Sequence, residues 1–221
     1  MRTEFFEKKE TALSEITAIT AQVKDKTRCN IYLDNRFYCG LTLECVVVNR
    51  LKVGQHVTKE QLDGYQLESE KATALDKALT YITATQKTEK QIRDYLQKKG
   101  YVQAVIEYVI EKMRGYNFLN DESYAQDYVQ EVSGKKGGKL IKMELRKRGV
   151  SEDAIDRALD ELPLDEQIRS ATEILQKYLR YKQRDQATLQ KAFRYLLGRG
   201  FDYEIAKDAL KSLGEDGGEE F

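Results

Sequence analysis

The stretch Leu145-Arg146-Lys147-Arg148-Gly149-Val150 has two counterparts in this chain of 221 residues, Leu96–Tyr101 and Leu196–Phe201. Each places a leucine four residues before a glycine and an apolar residue directly after it. This arrangement is typical of a Schellman cap, in which glycine takes the positive φ that ends a helix and the two apolar side chains touch. The glycines lie 49 and 51 residues apart, which indicates a repeat of about fifty residues.

Apolar positions on both sides of each glycine extend the match. A stripe with helical spacing follows each glycine, as Ile155 and Leu159 follow Gly149. A further helix precedes each glycine by about twenty residues and has an aromatic residue on its apolar side: Tyr81, Tyr128 and Tyr178. We expect these tyrosines to pack in cores. The sequence predicts three tandem three-helix repeats, at residues 70–118, 119–163 and 164–213, that form an elongated array.

Residues 1–69 follow a different pattern. Residues 16–40 alternate apolar and polar side chains and are rich in β-branched and aromatic residues, which predicts three short antiparallel strands. Polar turns are expected at 24–27 and at Asn35-Arg36. Residues 41–51 favour a short helix over a buried strand, and a capping box at Thr58–Gln61 predicts another helix. The predicted fold class is therefore mainly α, preceded by a small three-stranded β segment with short helices.

Composition excludes several classes of protein. With 41% apolar and 33% charged residues, the chain is too apolar for a disordered protein and too charged for a membrane protein. No secretory signal is visible, so we expect a cytoplasmic protein without a membrane partner. The 37 basic and 37 acidic residues cancel in total. Residues 71–214 nevertheless carry 27 bases against 22 acids, and residues 214–221 form an acidic tail.

Residues suited to catalysis or metal binding are sparse. His56 is the single histidine and is expected in a loop, where a surface role fits better than a role as a catalytic base. Cys29, Cys39 and Cys45 lack the spacing of a disulfide framework or a zinc site, and fit small apolar side chains beside strands. We expect no enzyme, no metal and no cofactor. A hydrolase that uses a cysteine or His56 is the enzymatic alternative.

Seven bases and one acid lie between residues 135 and 148, and we call these bases the basic stripe. The segment 134–139 resembles a phosphate-binding loop, but its spacing is one residue short and Leu140 stands where a hydroxyl is needed. A flexible basic loop is predicted instead. The spacing of Lys139, Lys142 and Arg146 places them on one helix face.

These bases, and others near two further helix ends, are candidates for contact with a partner. They are Lys135, Lys136, Lys139, Lys142, Arg146, Lys147, Arg148, Lys98, Lys99, Arg194 and Arg199. Another cluster, Arg180, Lys182 and Arg184, lies at a helix end. A solvated face with favourable cations near helix C-termini would explain the same pattern.

Residues 119–129 read LNDESYAQDYV, with an acidic helix start and Tyr-Ala and Tyr-Val pairs, and Ile141-x-x-Glu-Leu-x-x-Arg-Gly-Val150 follows. Together these motifs resemble the middle of the RecX family of RecA regulators. The three repeats are similar to the family's three tandem three-helix units, and the β segment is similar to the extension of members from low-GC Gram-positive bacteria. The resemblance covers nearly the whole chain after about residue 15. One departure is that family members often place a proline after the loop glycines, whereas Gly138 leads into Lys139.

The resemblance implies a non-enzymatic regulator that binds the filament formed by RecA on single-stranded DNA. Such proteins lower the ATPase, strand-exchange and coprotease activities of RecA, and so act in recombination, DNA repair and the SOS response. The implied chief partner is RecA, and we expect a monomer. The alternative is a helical module that binds single- or double-stranded DNA directly through the basic stripe. The zero net charge counts against that alternative.

Overall fold

The computed structural model describes residues 12–215 of the chain. Within these residues, four strands and ten helices follow one another: β1 (Leu13–Ala21), β2 (Arg28–Leu33), β3 (Arg36–Thr42), α1 (Leu43–Val48), β4 (His56–Thr58), α2 (Lys59–Thr83), α3 (Glu89–Lys98), α4 (Gln103–Gly115), α5 (Asp121–Val132), α6 (Gly138–Lys147), α7 (Glu152–Asp160), α8 (Leu164–Leu179), α9 (Gln186–Gly198) and α10 (Tyr203–Glu215). The predicted fold class, three tandem three-helix repeats after an antiparallel sheet, is confirmed.

The described residues form two compact units. The first contains the residues up to Tyr81 together with Leu96–Glu111, and the second contains Ile82–Tyr95 and the residues from Lys112 onward. The sheet belongs to the first unit. The start of α3 and all of α5–α10 belong to the second unit, which therefore holds the complete second repeat (α5–α7) and third repeat (α8–α10).

The sheet has four antiparallel strands in the order β3-β2-β1-β4 rather than the three strands predicted. The added strand, β4, has three residues and pairs with the start of β1, where His56 lies opposite Glu15. A three-residue strand is too short to show an alternating pattern, so the sequence did not reveal it. His56 lies in this strand and not in a loop, and its side chain is exposed as expected.

The turn between β2 and β3 lies one residue earlier than predicted. Its two central residues are Asp34 and Asn35, with φ of 47° and 63°, and Arg36 already pairs with Leu33. A two-residue hairpin turn of this type needs positive φ at both positions. Asp and Asn tolerate that conformation better than Arg does, which explains the shift.

One face of the sheet forms the core of the first unit. Ile16, Ile31 and Leu41 are fully buried there, together with the three cysteines, which are all free. The predicted helix within residues 41–51 is α1, and the predicted capping box starts α2. Thr58 Oγ1 accepts from the Gln61 N–H at 3.2 Å, and Gln61 Oε1 accepts from the Thr58 N–H at 3.0 Å.

Replacement of Arg50 by glycine is expected to stabilise the protein by about 1 kcal/mol. Arg50 ends α1 with φ of 50°, and the Leu51 N–H donates to the Val46 carbonyl at 3.0 Å as in a Schellman cap. Arginine is strained in this conformation, whereas glycine adopts it freely. Urea unfolding measures the change. Lys52→Gly is the control and should be destabilising, because Lys52 is exposed and does not have a positive φ.

The three predicted glycine caps are present. Gly100, Gly149 and Gly200 have φ of 86°, 88° and 87°. In each cap, the N–H of the following residue donates to the carbonyl of the leucine four residues before the glycine, at 3.2 Å. These three leucines are fully buried. A similar cap ends α4, and the glycine pattern did not predict it because Asn117 takes the positive φ there.

The second unit joins successive repeats by one recurring contact. The N-cap residue at the start of α3, Thr88, donates from Oγ1 to the Arg148 carbonyl at 2.6 Å. The N-cap residue of α6, Gly137, donates its N–H to the Arg199 carbonyl at 2.9 Å. Each N-cap residue lies twelve residues before the glycine that ends its own helix. Each donates a hydrogen bond to the carbonyl of the residue just before the cap glycine of the next repeat, and in this sense receives that glycine cap.

Helix α9 departs from this spacing. Its N-cap residue is Asp185, which lies fifteen residues before Gly200 instead of twelve. The helix therefore begins about one turn earlier than α3 and α6 do, relative to the glycine cap.

The loop before α6 is held in place, so the prediction of a flexible loop is wrong. Arg199 Nη1 donates to the Lys135 carbonyl at 3.2 Å, and the Lys139 N–H donates to the Gly200 carbonyl at 3.0 Å. A Cβ on Gly137 would lie within 3.0 Å of the backbone of Gly200 and Phe201, which shows how closely the two segments approach. The partners are more than sixty residues apart in the sequence, so local patterns could not reveal this contact.

Candidate functional site

Helix α6 carries the basic stripe. Ile141 and Leu145 on its buried side have no exposed surface. Lys142 and Arg146 both reach Glu152 at the start of α7, so they share one face of the helix as their spacing predicts. The structure thus agrees with the predicted common face for Lys142 and Arg146, and it adds acidic neighbours that the stripe alone did not show.

The bases on this face form ion pairs. Lys142 Nζ lies 3.4 Å from Glu152 Oε2 and also pairs with Asp156. Arg146 Nη2 donates to Glu152 Oε2 at 2.7 Å, and this hydrogen bonding lowers the pKa of Glu152 to about 2. Lys139 Nζ lies 2.6 Å from Asp202 Oδ1. The positive charges are therefore largely balanced within the protein.

Two further stripe residues contact the core of the second repeat. Lys136 Nζ lies 2.7 Å from both carboxylate oxygens of Glu144, which also accepts from the Tyr128 hydroxyl. Burial alone would raise the pKa of Glu144, but the hydrogen bonds from Lys136 and Tyr128 lower it. The Arg148 guanidinium lies 4.1 Å from the centre of the Tyr128 ring. Tyr128 is itself a core residue, as predicted.

Arg199 is also engaged inside the second unit. Its guanidinium lies 4.8 Å from the centre of the Tyr195 ring and donates to the loop before α6. Its Nε is buried and has no hydrogen-bond partner among the described residues. Arg199 therefore packs at the junction between the second and third repeats.

The remaining candidates have exposed side chains. Lys135, Lys147, Lys98 and Arg194 form no ion pair within residues 12–213. Lys99 is exposed at the end of α3. Six of the candidates thus contact other residues of the second unit, and four exposed ones form no ion pair within residues 12–213.

A second basic surface lies in and beside the loop after α8. We call Lys177, Arg180, Lys182 and Arg184 the basic loop cluster. Arg180 lies 5.4 Å from the ring centre of Tyr181, whose side chain is 88% exposed. In the described part of the chain, no carboxylate pairs with this cluster, and the neighbouring Asp185 accepts from the Thr188 N–H at 2.7 Å. The sequence shows this cluster but does not show that it is less neutralised than the basic stripe.

The cysteines are poorly suited to nucleophilic chemistry. Burial raises the pKa of the Cys39 thiol to about 11 and also raises the pKa of Cys29 and of Cys45. A nucleophilic cysteine needs a lowered pKa and access to solvent. No group of three or more potential metal ligands occurs among residues 12–215.

The native thiols are expected to react with an alkylating reagent at mildly alkaline pH at least about a hundredfold more slowly than a free thiol. The raised pKa of Cys39 leaves little thiolate at that pH, and all three thiols are buried. Mass spectrometry of the alkylated protein measures the rate, with the urea-unfolded chain as the control. Rapid alkylation of the native protein would contradict this structure of the first unit.

No helix within residues 12–215 is both long enough and apolar enough to cross a membrane.

Family models match the chain in four consecutive segments. The Regulatory protein RecX N-terminal domain matches residues 14–58. The first, second and third three-helix domains of RecX match residues 74–113, 120–159 and 165–210.

Relatives and solved structures agree with these matches. The chain is 34% identical to Regulatory protein RecX of Clostridium acetobutylicum, over 90% of this chain and 95% of the relative. It is 31% identical to the protein of the same name in Bacillus pumilus, over 93% of this chain and 79% of the relative.

A crystal structure of regulatory protein RecX superposes with a TM-score of 0.66 at 28% identity, and the match covers 88% of this chain and 98% of that one. RecX from Lactobacillus salivarius gives a TM-score of 0.61 at 26% identity, with 65% of this chain and 96% of that one covered. The four matched segments, the relatives and the shared fold show that the chain belongs to the RecX family of regulatory proteins.

Proposed function

We propose that this protein regulates RecA by binding the RecA filament on single-stranded DNA, and that it lowers the ATPase, strand-exchange and coprotease activities of RecA without catalysing a reaction. The observation that carries this proposal is the recurring junction, in which Thr88 and Gly137 receive the caps of the next repeats. Successive repeats that meet in the same way can offer several weak contacts to neighbouring subunits of a polymer. Such contacts add up to useful affinity.

The exposed bases are the better candidates for contact with the filament. Lys135, Lys147, Lys98 and Arg194 have their charges available to a partner, whereas Lys142 and Arg146 would first have to leave their carboxylates. The free energy lost when such an ion pair breaks offsets most of the free energy gained from a new pair with the partner, because exposed ion pairs differ little in energy.

The direct test is a RecA ATPase assay on single-stranded DNA with this protein titrated in. Inhibition at micromolar protein, together with co-sedimentation with the filaments, is expected. Lys135→Gln with Lys147→Gln should weaken the inhibition, and Lys142→Gln, in a paired residue of the same repeat, is the matched control. The absence of both inhibition and co-sedimentation for the unmodified protein would reject the proposal.

Direct DNA binding is the second candidate function, and the basic loop cluster favours it. Among residues 12–215 its four bases have no carboxylate partner, and one of them, Arg180, lies beside the exposed Tyr181, so the cluster combines phosphate contacts with an aromatic ring for base stacking. Binding of a fluorescent oligothymidine without RecA should weaken as the salt concentration rises. The slope of log affinity against log salt concentration should be no steeper than about −3, because four bases can contact four phosphates.

A triple variant, Arg180→Gln with Lys182→Gln and Arg184→Gln, should remove most of that slope. Unchanged binding by the triple variant would exclude the basic loop cluster. A complete lack of binding by the unmodified protein at low salt would exclude this second function.

A further inference from the structure

The second and third repeats can be compared residue by residue. Gly149 and Gly200 end equivalent helices, and the leucines four residues before them, Leu145 and Leu196, are both fully buried. Helices α7 and α10 begin at residues 152 and 203, which are also 51 residues apart. Residues separated by 51 positions therefore correspond across both helix pairs.

At this register, an apolar surface of the third repeat replaces the ion pairs of the second. Phe193 corresponds to Lys142, and Tyr203 corresponds to Glu152. The two aromatic rings meet edge to face, with centres 5.2 Å apart. Tyr203 is 58% exposed, and Leu197, which corresponds to Arg146, is 38% exposed. The same face is thus charged and internally paired in one repeat, and aromatic and open to solvent in the next.

The aromatic pair lines a shallow groove of about 380 Å³ between α9 and α10. Leu189 and Leu210 complete its apolar surface, and Gln186 and Gln190 add amides. Arg194 is the one charged side chain among the described residues that line the groove, and it has no ion pair within them. We call this surface the aromatic groove.

The chemistry of the aromatic groove defines what it can bind. Its volume fits one or two side chains rather than a whole helix, so it suits an apolar anchor residue. Arg194 offers a guanidinium that has no ion pair among residues 12–213, and a guanidinium forms strong hydrogen bonds with a carboxylate. A nucleic acid would need several cations along a track, whereas this groove has one cation beside an apolar surface.

We propose that the aromatic groove binds a segment of RecA in which an aromatic or aliphatic side chain stands next to a carboxylate. This proposal rests on the proposed function and names the surface that provides specificity for RecA. Apolar surface open to water marks an interaction site when polar residues surround it. The corresponding face of the second repeat cannot take the same ligand, because Lys142, Arg146 and Glu152 occupy it with ion pairs.

The test places residues of the second repeat into the third. Tyr203→Glu and Arg194→Met introduce the residues found at 152 and 143. A glutamate at the first residue of α10 is favourable for the helix, so the fold should persist, and Tyr203→Ser is a second variant without added charge. Circular dichroism during heating verifies folding. Leu164→Ser is the matched control, because Leu164 is an apolar residue of the same repeat that is 60% exposed and does not line the groove.

The double variant should need about tenfold more protein for half-maximal inhibition of RecA ATPase, and Leu164→Ser should match the unmodified protein. If the folded groove variants inhibit RecA ATPase as well as the unmodified protein does, this inference is overturned and the proposed function stays intact. A lack of inhibition by the unmodified protein would instead reject the proposed function.

A chain shortened to end at Leu213 tests the other possible occupant. If that chain inhibits about tenfold better, and Tyr203→Glu removes the advantage, then residues 214–221 and not RecA compete for the groove. That result would overturn the assignment to RecA. Equal inhibition by the shortened and full chains is the result expected here.

Discussion

Replacement of Gly137 by alanine should destabilise the second unit by about 3 kcal/mol. The backbone φ of Gly137 is −81°, which alanine adopts without strain, so the whole effect comes from contact. The new methyl group would lie within 3.0 Å of backbone atoms of Gly200 and Phe201. Backbone atoms cannot turn away as a long side chain can, so the two repeats must move apart.

That movement would also lengthen two hydrogen bonds across the junction. These are the bonds from the Gly137 N–H to the Arg199 carbonyl and from the Lys139 N–H to the Gly200 carbonyl. Urea unfolding followed by circular dichroism measures the loss. Gly138→Ala is the matched control, because its methyl group would meet Leu159 at an ordinary distance of 3.9 Å. Equal stability of the two variants would contradict the close junction.

Alanine at the three cap glycines should give a graded loss of stability. All three glycines have φ between 86° and 88°, so alanine brings a common strain of about 1–2 kcal/mol at each. At Gly100 the new methyl group would have no neighbouring atom within 4 Å, so the loss of stability should not exceed this strain. At Gly149 the methyl group would lie 2.5 Å from Lys90 Cβ, which is attached directly to the backbone, so a further loss of stability is expected there.

Gly200→Ala should be the most destabilising of the three, by about 3–4 kcal/mol. Its methyl group would lie within 3.0 Å of the backbone nitrogen of Leu140 and 2.5 Å from its Cβ. Unfolding midpoints in urea for the three variants should therefore fall in the order of residue number. Three equal losses would show that the positive φ alone matters and that the caps do not receive neighbouring repeats.

Local signals made the repeats predictable. A glycine cap is contained in six residues, and the leucine, the glycine and the apolar residue after it identify it directly. The helical stripes and the capping box at Thr58 are equally local. Strand β4 was missed because its three residues take their structure from pairing with β1 and not from a pattern of their own.

The candidate site was predictable in position but not in charge balance. The spacing of Lys142 and Arg146 fixes their common face, because it follows from the geometry of a single helix. Their carboxylate partners lie on another helix, and the partner of Lys139 is Asp202 in the third repeat. A count of bases along one segment cannot show which of them face acids brought close by folding.

The early start of α9 changes the residue at the position from which α3 and α6 bond to the next repeat. In α3 and α6, the position twelve residues before the glycine is the N-cap residue, which donates a hydrogen bond to the glycine cap of the next repeat. In α9 that position is Thr188, which lies inside the helix with its N–H already bonded to Asp185. The third repeat therefore lacks an N-cap residue at the position from which α3 and α6 each bond to the next repeat, so a further three-helix repeat could not pack on it in that way.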